Sequence, residues 1–236
     1  MNLRKRLLIN GNQVALGSDR VELGLNRIGE GVFDILEPIP ASARTPLAEF
    51  YLGVGEQDEY LVMTGAVMAK EPKGEGRFRI TVRELSAVLD MPVRIDMRQV
   101  SARQVLGRIE KKTGLRFLLP AKARYLDERR IRFVSHGSGV EALALIAERW
   151  ELSNVVWFQL PDGRMYWGHW TQGPYTASEV PIDPKLVLRQ DDEQGTLELP
   201  CIPALRPGIL VRTDFRFRID HVIFIGDKVQ LAFTRV

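Results

Sequence analysis

Histidine and cysteine are the residue types best suited to bind a metal or act as nucleophiles, and this chain has few of them. The three histidines are His136, His169 and His221, and the single cysteine is Cys201. No histidine has a second ligand four residues away, the spacing that places two metal ligands on one helix face. For Cys201 the favoured interpretation is a thiol packed in the core. These residues predict no metal site, no disulfide and no catalytic pair.

A glycine-containing turn, Ser-His-Gly-Ser-Gly at residues 135–139, precedes a predicted helix. Such a turn can bind phosphate, because the N–H groups at a helix N-terminus attract anions. The preceding strand is short, and no alternating strand–helix series surrounds the turn. We therefore favour a strand-to-helix turn capped by Ser138, and we expect no cofactor.

Signatures of hydrolytic enzymes are also weak. No serine lies in a Gly-x-Ser-x-Gly elbow. The thirty acidic residues show no distinguishable catalytic pair, although the two carboxylates of a glycosidase need not be close in sequence. The sequence therefore predicts a protein that is not an enzyme, with a glycosidase kept as an alternative.

Four tryptophans, Trp150, Trp157, Trp167 and Trp170, lie within 21 residues. If exposed, their rings form a surface for stacking on sugars or binding protein. If buried, they form a core between a helix and a hairpin, and this interpretation is favoured. Because Trp and Tyr are enriched at interfaces, we expect at least one ring to lie in one. The candidate interface aromatics are Trp157, Tyr166, Trp167 and Trp170.

The composition is that of a globular protein, with 236 residues, 45% hydrophobic residues and a net charge of +3. No apolar run reaches the roughly 18 residues that a membrane helix needs. The apolar segment near the N-terminus is too short for a signal peptide, so we expect a soluble protein made in the cytosol. The richest basic stretch, residues 122–132, also contains Asp127 and Glu128. A solvated loop is favoured there over a nucleic-acid patch.

Alternating apolar residues and turn signals predict short strands over the first ninety-odd residues. Asn10-Gly11-Asn12 predicts a tight turn, Gly65 a bulge or bend, and residues 70–76 a hairpin loop. Prolines 38, 40 and 46 predict a connection. The expected strands are at residues 7–9, 13–16, 21–25, 32–36, 49–54, 60–68 and 78–82.

Two capped helices are predicted in the middle of the chain, with a strand at residues 115–119 between them. Ser101 with Gln104, and Ser138 with Glu141, have the spacing of a capping box. A hairpin of residues 155–160 and 164–170 then follows around Pro161-Asp162-Gly163. The second helix is expected to bury Val140, Leu143, Ala144, Ala147 and Trp150.

The last segment, residues 200–236, is predicted to be β. On its long strand, alternation predicts that Ile219, His221 and Ile223 share one face. The other face is expected to carry Asp220, Val222 and Phe224.

The predicted fold class is mainly β with an α+β insert, as two small β-barrel domains flanking a helix-containing domain. The expected domains are an early β-barrel at residues 1–95, an α+β insert with two helices and a Trp-rich hairpin at 96–178, and a late β-barrel at 179–236.

Three features together resemble the baseplate hub proteins of phage tails. They are the N-terminal β domain, the capped-helix insert with Thr113-Gly114-Leu115, and the closing Pro203-x-Leu205-x-Pro207-Gly208 segment with Ile219-x-x-Val222. The group includes the late-control D proteins and the N-terminal hub part of type VI spike proteins.

The resemblance implies a structural role without catalysis. In such hubs, two β-barrels per chain and three chains per ring join the tail tube to a central spike or fibre. The implied partners are two further copies, a tail tube or distal tail protein, and a spike or fibre protein, with DNA only in transit through the lumen and no stable membrane binding. The implied location is the tail tip or baseplate of the virion, after synthesis in the host cytoplasm. The alternatives are a carbohydrate-binding module that uses the Trp150–Trp170 cluster and, less favoured, a tail-associated cell-wall hydrolase.

Overall fold

The computed structural model describes residues 2–39, 45–56, 59–177 and 179–236. It divides into two compact units. The sheet unit comprises Met1–Glu84 and Tyr175–Val236, and the insert unit comprises Leu85–Pro174. The predicted class, mainly β with an α+β insert, is confirmed.

The elements follow the chain in three groups. The first part of the sheet unit contains β1 (Leu3–Ile9), β2 (Asn12–Val14), β3 (Leu16–Gly24), β4 (Glu30–Ile35), β5 (Leu47–Val54), β6 (Tyr60–Gly74) and β7 (Arg77–Glu84). The insert unit contains β8 (Ile95–Ser101), α1 (Ala102–Thr113), β9 (Phe117–Leu118), β10 (Arg129–Ser135), α2 (Gly139–Arg149), β11 (Val155–Gln159) and β12 (Met165–His169). The sheet unit resumes with β13 (Glu179–Pro181), β14 (Arg189–Asp191), β15 (Thr196–Pro200), β16 (Leu210–Arg212), β17 (Arg216–Ile225) and β18 (Lys228–Arg235). Short 3-10 helices lie at Leu85–Asp90, Arg124–Leu126, Trp170–Gln172 and Pro184–Leu186.

One 13-stranded sheet joins the early and late parts of the sheet unit. Its main order is β14-β15-β18-β17-β3-β4-β7-β6-β5-β1-β2, with β16 beside β17 and β13 beside β16. The join is the antiparallel pair β3–β17, in which Gly24 is opposite His221. A single hydrophobic core takes residues from both parts, including Leu7, Phe33, Phe50, Phe217, Phe224 and Leu231.

The turn chemistry of the first hairpin is confirmed. Asn10 and Gly11 have φ values of 50° and 80° and connect β1 to β2. The predicted hairpin loop at residues 70–76 is wrong, because β6 continues to Gly74 and pairs with β7 up to the turn. Glu75 and Gly76 both have positive φ, and such a two-residue turn lets the strands pair to their ends. Pro40, residues 57–58 and the predicted domain boundary at residue 178 lie outside the described residues.

Gly65 occupies a point of close backbone approach. It pairs in regular register with Ala48 on β5 and Glu84 on β7, while the bulges lie elsewhere along β6. A Cβ atom at this position would be 2.2 Å from the carbonyl oxygen of Arg83. Glycine is therefore required because no side chain fits between the strands.

The predicted faces of β17 are wrong, because a bulge interrupts its alternation. Ile219 is opposite Phe233 on β18 and His221 is opposite Ala232, so Asp220 is the extra residue. Ile219 therefore shares the buried face with Val222 and Phe224.

Both predicted capping boxes of the insert unit are confirmed. The predicted buried stripe of α2 is partly wrong, since Ala144 is exposed. The first turn of α2 packs closely, because a Cβ on Gly139 would be 2.7 Å from the Leu89 side chain. The fully buried face of the helix and its C-cap comprises Gly139, Ala142, Leu143, Ile146 and Trp150.

The Trp-rich hairpin is confirmed as β11 and β12, with φ of 83° at Gly163. Asp162 accepts a hydrogen bond from the backbone N–H of Arg164, as expected for this turn. The predicted strand at residues 115–119 is reduced to β9, which pairs in parallel with β12. The interpretation of residues 122–132 as a loop is wrong for Arg129, Arg130 and Arg132, which lie on β10.

Candidate interface surfaces

Three of the four candidate aromatics are buried in the insert unit. Trp167 is 0% exposed, and Trp157 and Tyr166 are also buried. The ring of Tyr125 contacts Trp167 edge-on at 6.5 Å between centroids. These three rings therefore present little surface to a sugar or a protein.

Trp170 differs from the other candidates because it is half-buried. It begins the 3-10 helix Trp170–Gln172, directly after β12. Nearby, the hydroxyl of Tyr166 donates to the carbonyl of His169 at 2.7 Å, and burial raises the pKa of Tyr166. Of the candidate aromatics, Trp170 is therefore the least buried, and its role in an interface stays a prediction.

The turn at residues 135–139 is filled by a side chain of the protein itself. The hydroxyl of Ser138 accepts from the N–H of Glu141, and the carboxylate of Glu141 accepts from the N–H of Ser138. This carboxylate occupies the space that a Cβ on Gly137 would need. A phosphate at this site would meet a negative charge, so the interpretation as a capped turn is confirmed.

Cys201 lies in the hydrophobic core of the sheet unit. Its side chain is 1% exposed, and burial raises the pKa of the thiol to about 11. A protonated, buried thiol is a poor nucleophile, which supports the packing interpretation.

His221 lies in a surface charge cluster. Its Nε2 is 3.0 Å from the Glu22 carboxylate and 3.1 Å from Arg27. Burial, followed by the Arg27 charge, lowers the pKa of His221. Within the described ranges, no group of three or more His, Cys, Asp or Glu side chains is placed to bind a metal ion.

A polar groove of about 270 Å³ crosses β14, β15, β17 and β18 on the sheet unit. Its Glu198 carboxylate is partly neutralised by Lys228, which donates to it at 2.8 Å, and also accepts a hydrogen bond from the Gln230 amide at 3.2 Å. The residues that line the groove lie on four strands that become neighbours only through long-range pairing, so no local sequence signal predicted the groove.

The two ends of the main sheet path carry exposed leucines. At one end is β14, and Leu186 and Leu188 lie immediately before it, with Leu188 52% exposed. At the other end is β2. Exposed Leu36 contacts Ala15, the residue directly after β2, and exposed Leu47 begins β5, which β1 separates from β2. The backbone N–H of Leu36 donates to the carbonyl of Ala15, and that of Leu47 donates to the Asn10 side chain. Sequence reasoning missed these residues, because isolated leucines near strands are usually core.

No helix in the described part of the chain combines the length and the apolar character needed to cross a membrane.

No family profile matches the chain. A sequence relative is an uncharacterized 58.7 kDa protein in the lys 3′ region of Haemophilus phage HP1, 24% identical over 233 residues. The match covers 98% of this chain and 42% of the relative, so the chain spans less than half of that protein's length.

Solved structures of tail proteins share the fold over the whole chain. The 43 kDa tail protein of prophage MuSo2 from Shewanella oneidensis matches with a TM-score of 0.73 at 12% identity, covering 99% of this chain and 97% of that one. A tail protein from Neisseria meningitidis MC58 matches with a TM-score of 0.72 at 11% identity, covering 100% and 97%.

A secretion-system protein has the same architecture. The E. coli c3393 protein, a type VI secretion component with structural similarity to the T4 tail proteins gp27 and gp5, matches with a TM-score of 0.68 at 10% identity, covering 98% of this chain and 76% of that one. At the level of fold, these likenesses confirm the resemblance stated from the sequence. This chain has the fold of phage tail and type VI secretion baseplate-type proteins.

Proposed function

We propose that the protein is a structural component of a phage or phage-derived tail. The observation that carries this proposal is the fold shared with tail proteins over almost the whole of both chains. More specifically, three copies form a ring at the tail tip or baseplate, which joins the tail tube or a distal tail protein to a central spike or fibre. The ring has no catalytic role, and DNA passes only through its lumen.

The ends of the main sheet support a head-to-tail ring. β14 and β2 are three residues long, and each pairs with one strand among the described residues. β2 continues through Ala15 into β3, and the Ala15 carbonyl accepts from the N–H of Leu36. An unpaired sheet edge invites pairing with another chain. When one end of a chain contacts the opposite end of the next, repetition closes a ring if the rotation allows it. In this ring, Leu186 and Leu188 of one copy cover Leu36 and Leu47 of its neighbour.

The early strands β1–β7 and the late strands β14–β18 are proposed as the two barrel-like halves of each copy. Their shared core and the β3–β17 pair support a rigid connection between these halves. The predicted boundaries at residues 95 and 178 stay part of this proposal.

Light scattering of the purified chain tests the ring. We expect a mass about three times the 26.8 kDa of one chain, alone or with its tube partner. Leu188→Glu places a charge in the proposed contact and should reduce the mass to that of a monomer. Met91→Glu, at an exposed apolar position of the insert unit, is the matched control and should leave the mass unchanged. A chain that is monomeric under both conditions contradicts the proposal.

A further inference from the structure

Positive charge is concentrated in the insert unit. Residues 85–174 contain fourteen Lys and Arg against nine Asp and Glu, a net charge of +5. The rest of the chain has nineteen against twenty-one, a net charge of −2, which together give the +3 of the whole chain. A segregated basic surface favours an acidic partner.

Within this unit, β8 and β10 form a two-stranded ribbon that places like charges side by side. Arg98 and Arg132 are directly opposite each other, an arrangement that destabilises a sheet unless other charges compensate. Asp96 binds Arg132 through both carboxylate oxygens, at 3.0 and 2.6 Å. This carboxylate pairs with one of the two guanidinium groups, so the ribbon keeps positive charge that an anionic partner can neutralise.

An exposed isoleucine lies among these arginines. Ile131 is 81% exposed, although alternation from the buried Phe133 places it toward the core. The residue expected opposite it, Gln99, has φ of 48°, and this pair is missing from the register. A left-handed conformation at a residue other than glycine costs free energy. The backbone is therefore distorted where Ile131 turns outward.

Neither strand of the ribbon has a second strand neighbour among the described residues. A free edge with an apolar centre and surrounding arginines has the composition of a protein interface. We infer that the free edge of β10 binds an extended acidic segment of another protein. The segment adds as a strand, places an apolar side chain on Ile131, and presents the carboxylates of its other face to Arg130 and Arg132, which alternate with Ile131 along β10.

The observations favour a protein segment over nucleic acid. Single strands of nucleic acid are bound by aromatic rings on which bases stack, in a basic groove. The rings that pack against each other below this ribbon, Phe133 and Trp150, are buried. An exposed aliphatic residue surrounded by arginines suits an acidic, β-forming peptide better. This inference concerns the insert unit and does not depend on the proposed ring.

Fluorescence anisotropy with the full chain tests the inference. The probe is a fluorescein-labelled peptide of alternating Glu and Val residues, and the reference peptide has Lys in place of Glu. We expect saturable binding of the Glu peptide that weakens as salt rises, and no binding of the Lys peptide. Ile131→Ser and the pair Arg130→Glu with Arg132→Glu should each weaken binding by about tenfold or more, as for central interface residues.

The pair Arg108→Glu with Lys111→Glu is the matched control, because it reverses the same number of charges at exposed positions of α1. It should weaken binding less than about twofold, as expected for surface charges outside the ribbon. Thermal unfolding of each variant reports whether it folds. Any of three results would overturn the inference. The Glu peptide does not bind, all variants weaken its binding equally, or a DNA strand binds more tightly than the peptide and depends on the same arginines.

Discussion

At the scale of single residues, Arg206 connects the closing motif to the sheet. It lies within Pro203-x-Leu205-x-Pro207-Gly208, is buried, and donates to the carbonyls of Pro203, Leu205 and, at 2.6 Å, Leu61 on β6. Burial lowers the pKa of its guanidinium to about 10. The motif that carried the family resemblance thus contains the residue that fixes it to the early part of the sheet unit.

Replacing Arg206 with methionine keeps much of the apolar stem but removes the guanidinium donor from these three carbonyls. Because each buried, unsatisfied polar group costs about 1–3 kcal/mol, we expect the free energy of unfolding to fall by roughly 2–5 kcal/mol. Urea unfolding measures the change. Arg212→Met, at an exposed position on β16, should change stability by less than about 0.5 kcal/mol. Similar stabilities of both variants would show that the Arg206 contacts contribute little.

Asp34 gives stability a defined pH dependence. It lies on β4, binds Arg79 on β7 at 2.8 and 3.0 Å, and accepts from Ser18 on β3. These hydrogen bonds, Arg79 first and then Ser18, lower the pKa of Asp34 from 3.8 to about 2. Since the folded pKa is lower than the unfolded one, the stabilisation is present above about pH 4 and is lost as pH falls toward 2.

Asp34→Asn should therefore reduce stability at neutral pH, and its difference from the unmodified protein should shrink between about pH 4 and 2. Urea midpoints at several pH values measure this difference. Asp214→Asn, at an exposed position, is the control and should change the stability at neutral pH by less than about 0.5 kcal/mol. A constant difference between Asp34→Asn and the unmodified protein across this range would refute the role given to Asp34.

At the scale of elements, the features that depend on residues close in sequence were predicted correctly. The two capping boxes and the Pro161-Asp162-Gly163 turn are correct, because each depends on residues three or four positions apart. The faces of β17 were wrong, because alternation assumes an unbroken strand. The bulge at Asp220 depends on the register of β18, which no local pattern reveals.

Two glycines differ in the space that their surroundings leave for a side chain. Gly65→Ala introduces a Cβ that would be 2.2 Å from the Arg83 carbonyl, so we expect a loss of about 1–3 kcal/mol. Gly107 lies inside α1, where a Cβ would meet no described atom within 4 Å beyond the backbone of its own helix. Gly107→Ala should therefore add about 0.5–1 kcal/mol, because alanine favours a helix interior. Thermal unfolding compares the two. Equal effects would show that the close approach of β6 and β7 is not needed.

At the scale of the whole molecule, the fold class and the resemblance followed from the sequence, but the candidate interfaces did not. The pair of Gly24 with His221 joins segments almost two hundred residues apart and has no local signal. The exposed leucines near β2 and β14, and Ile131 on β10, are recognised only once the strand neighbours are known. The aromatic cluster, prominent in the sequence, is mostly core.

The proposed function depends above all on the assembly of three copies, end to end, through β2 and β14. Electron microscopy of negatively stained particles, prepared alone and with the tube partner, shows this assembly or its absence. We expect rings of three copies with a central opening, which Leu188→Glu abolishes and Met91→Glu preserves. Single-copy particles under both conditions, or rings that Leu188→Glu leaves intact, would refute the end-to-end ring.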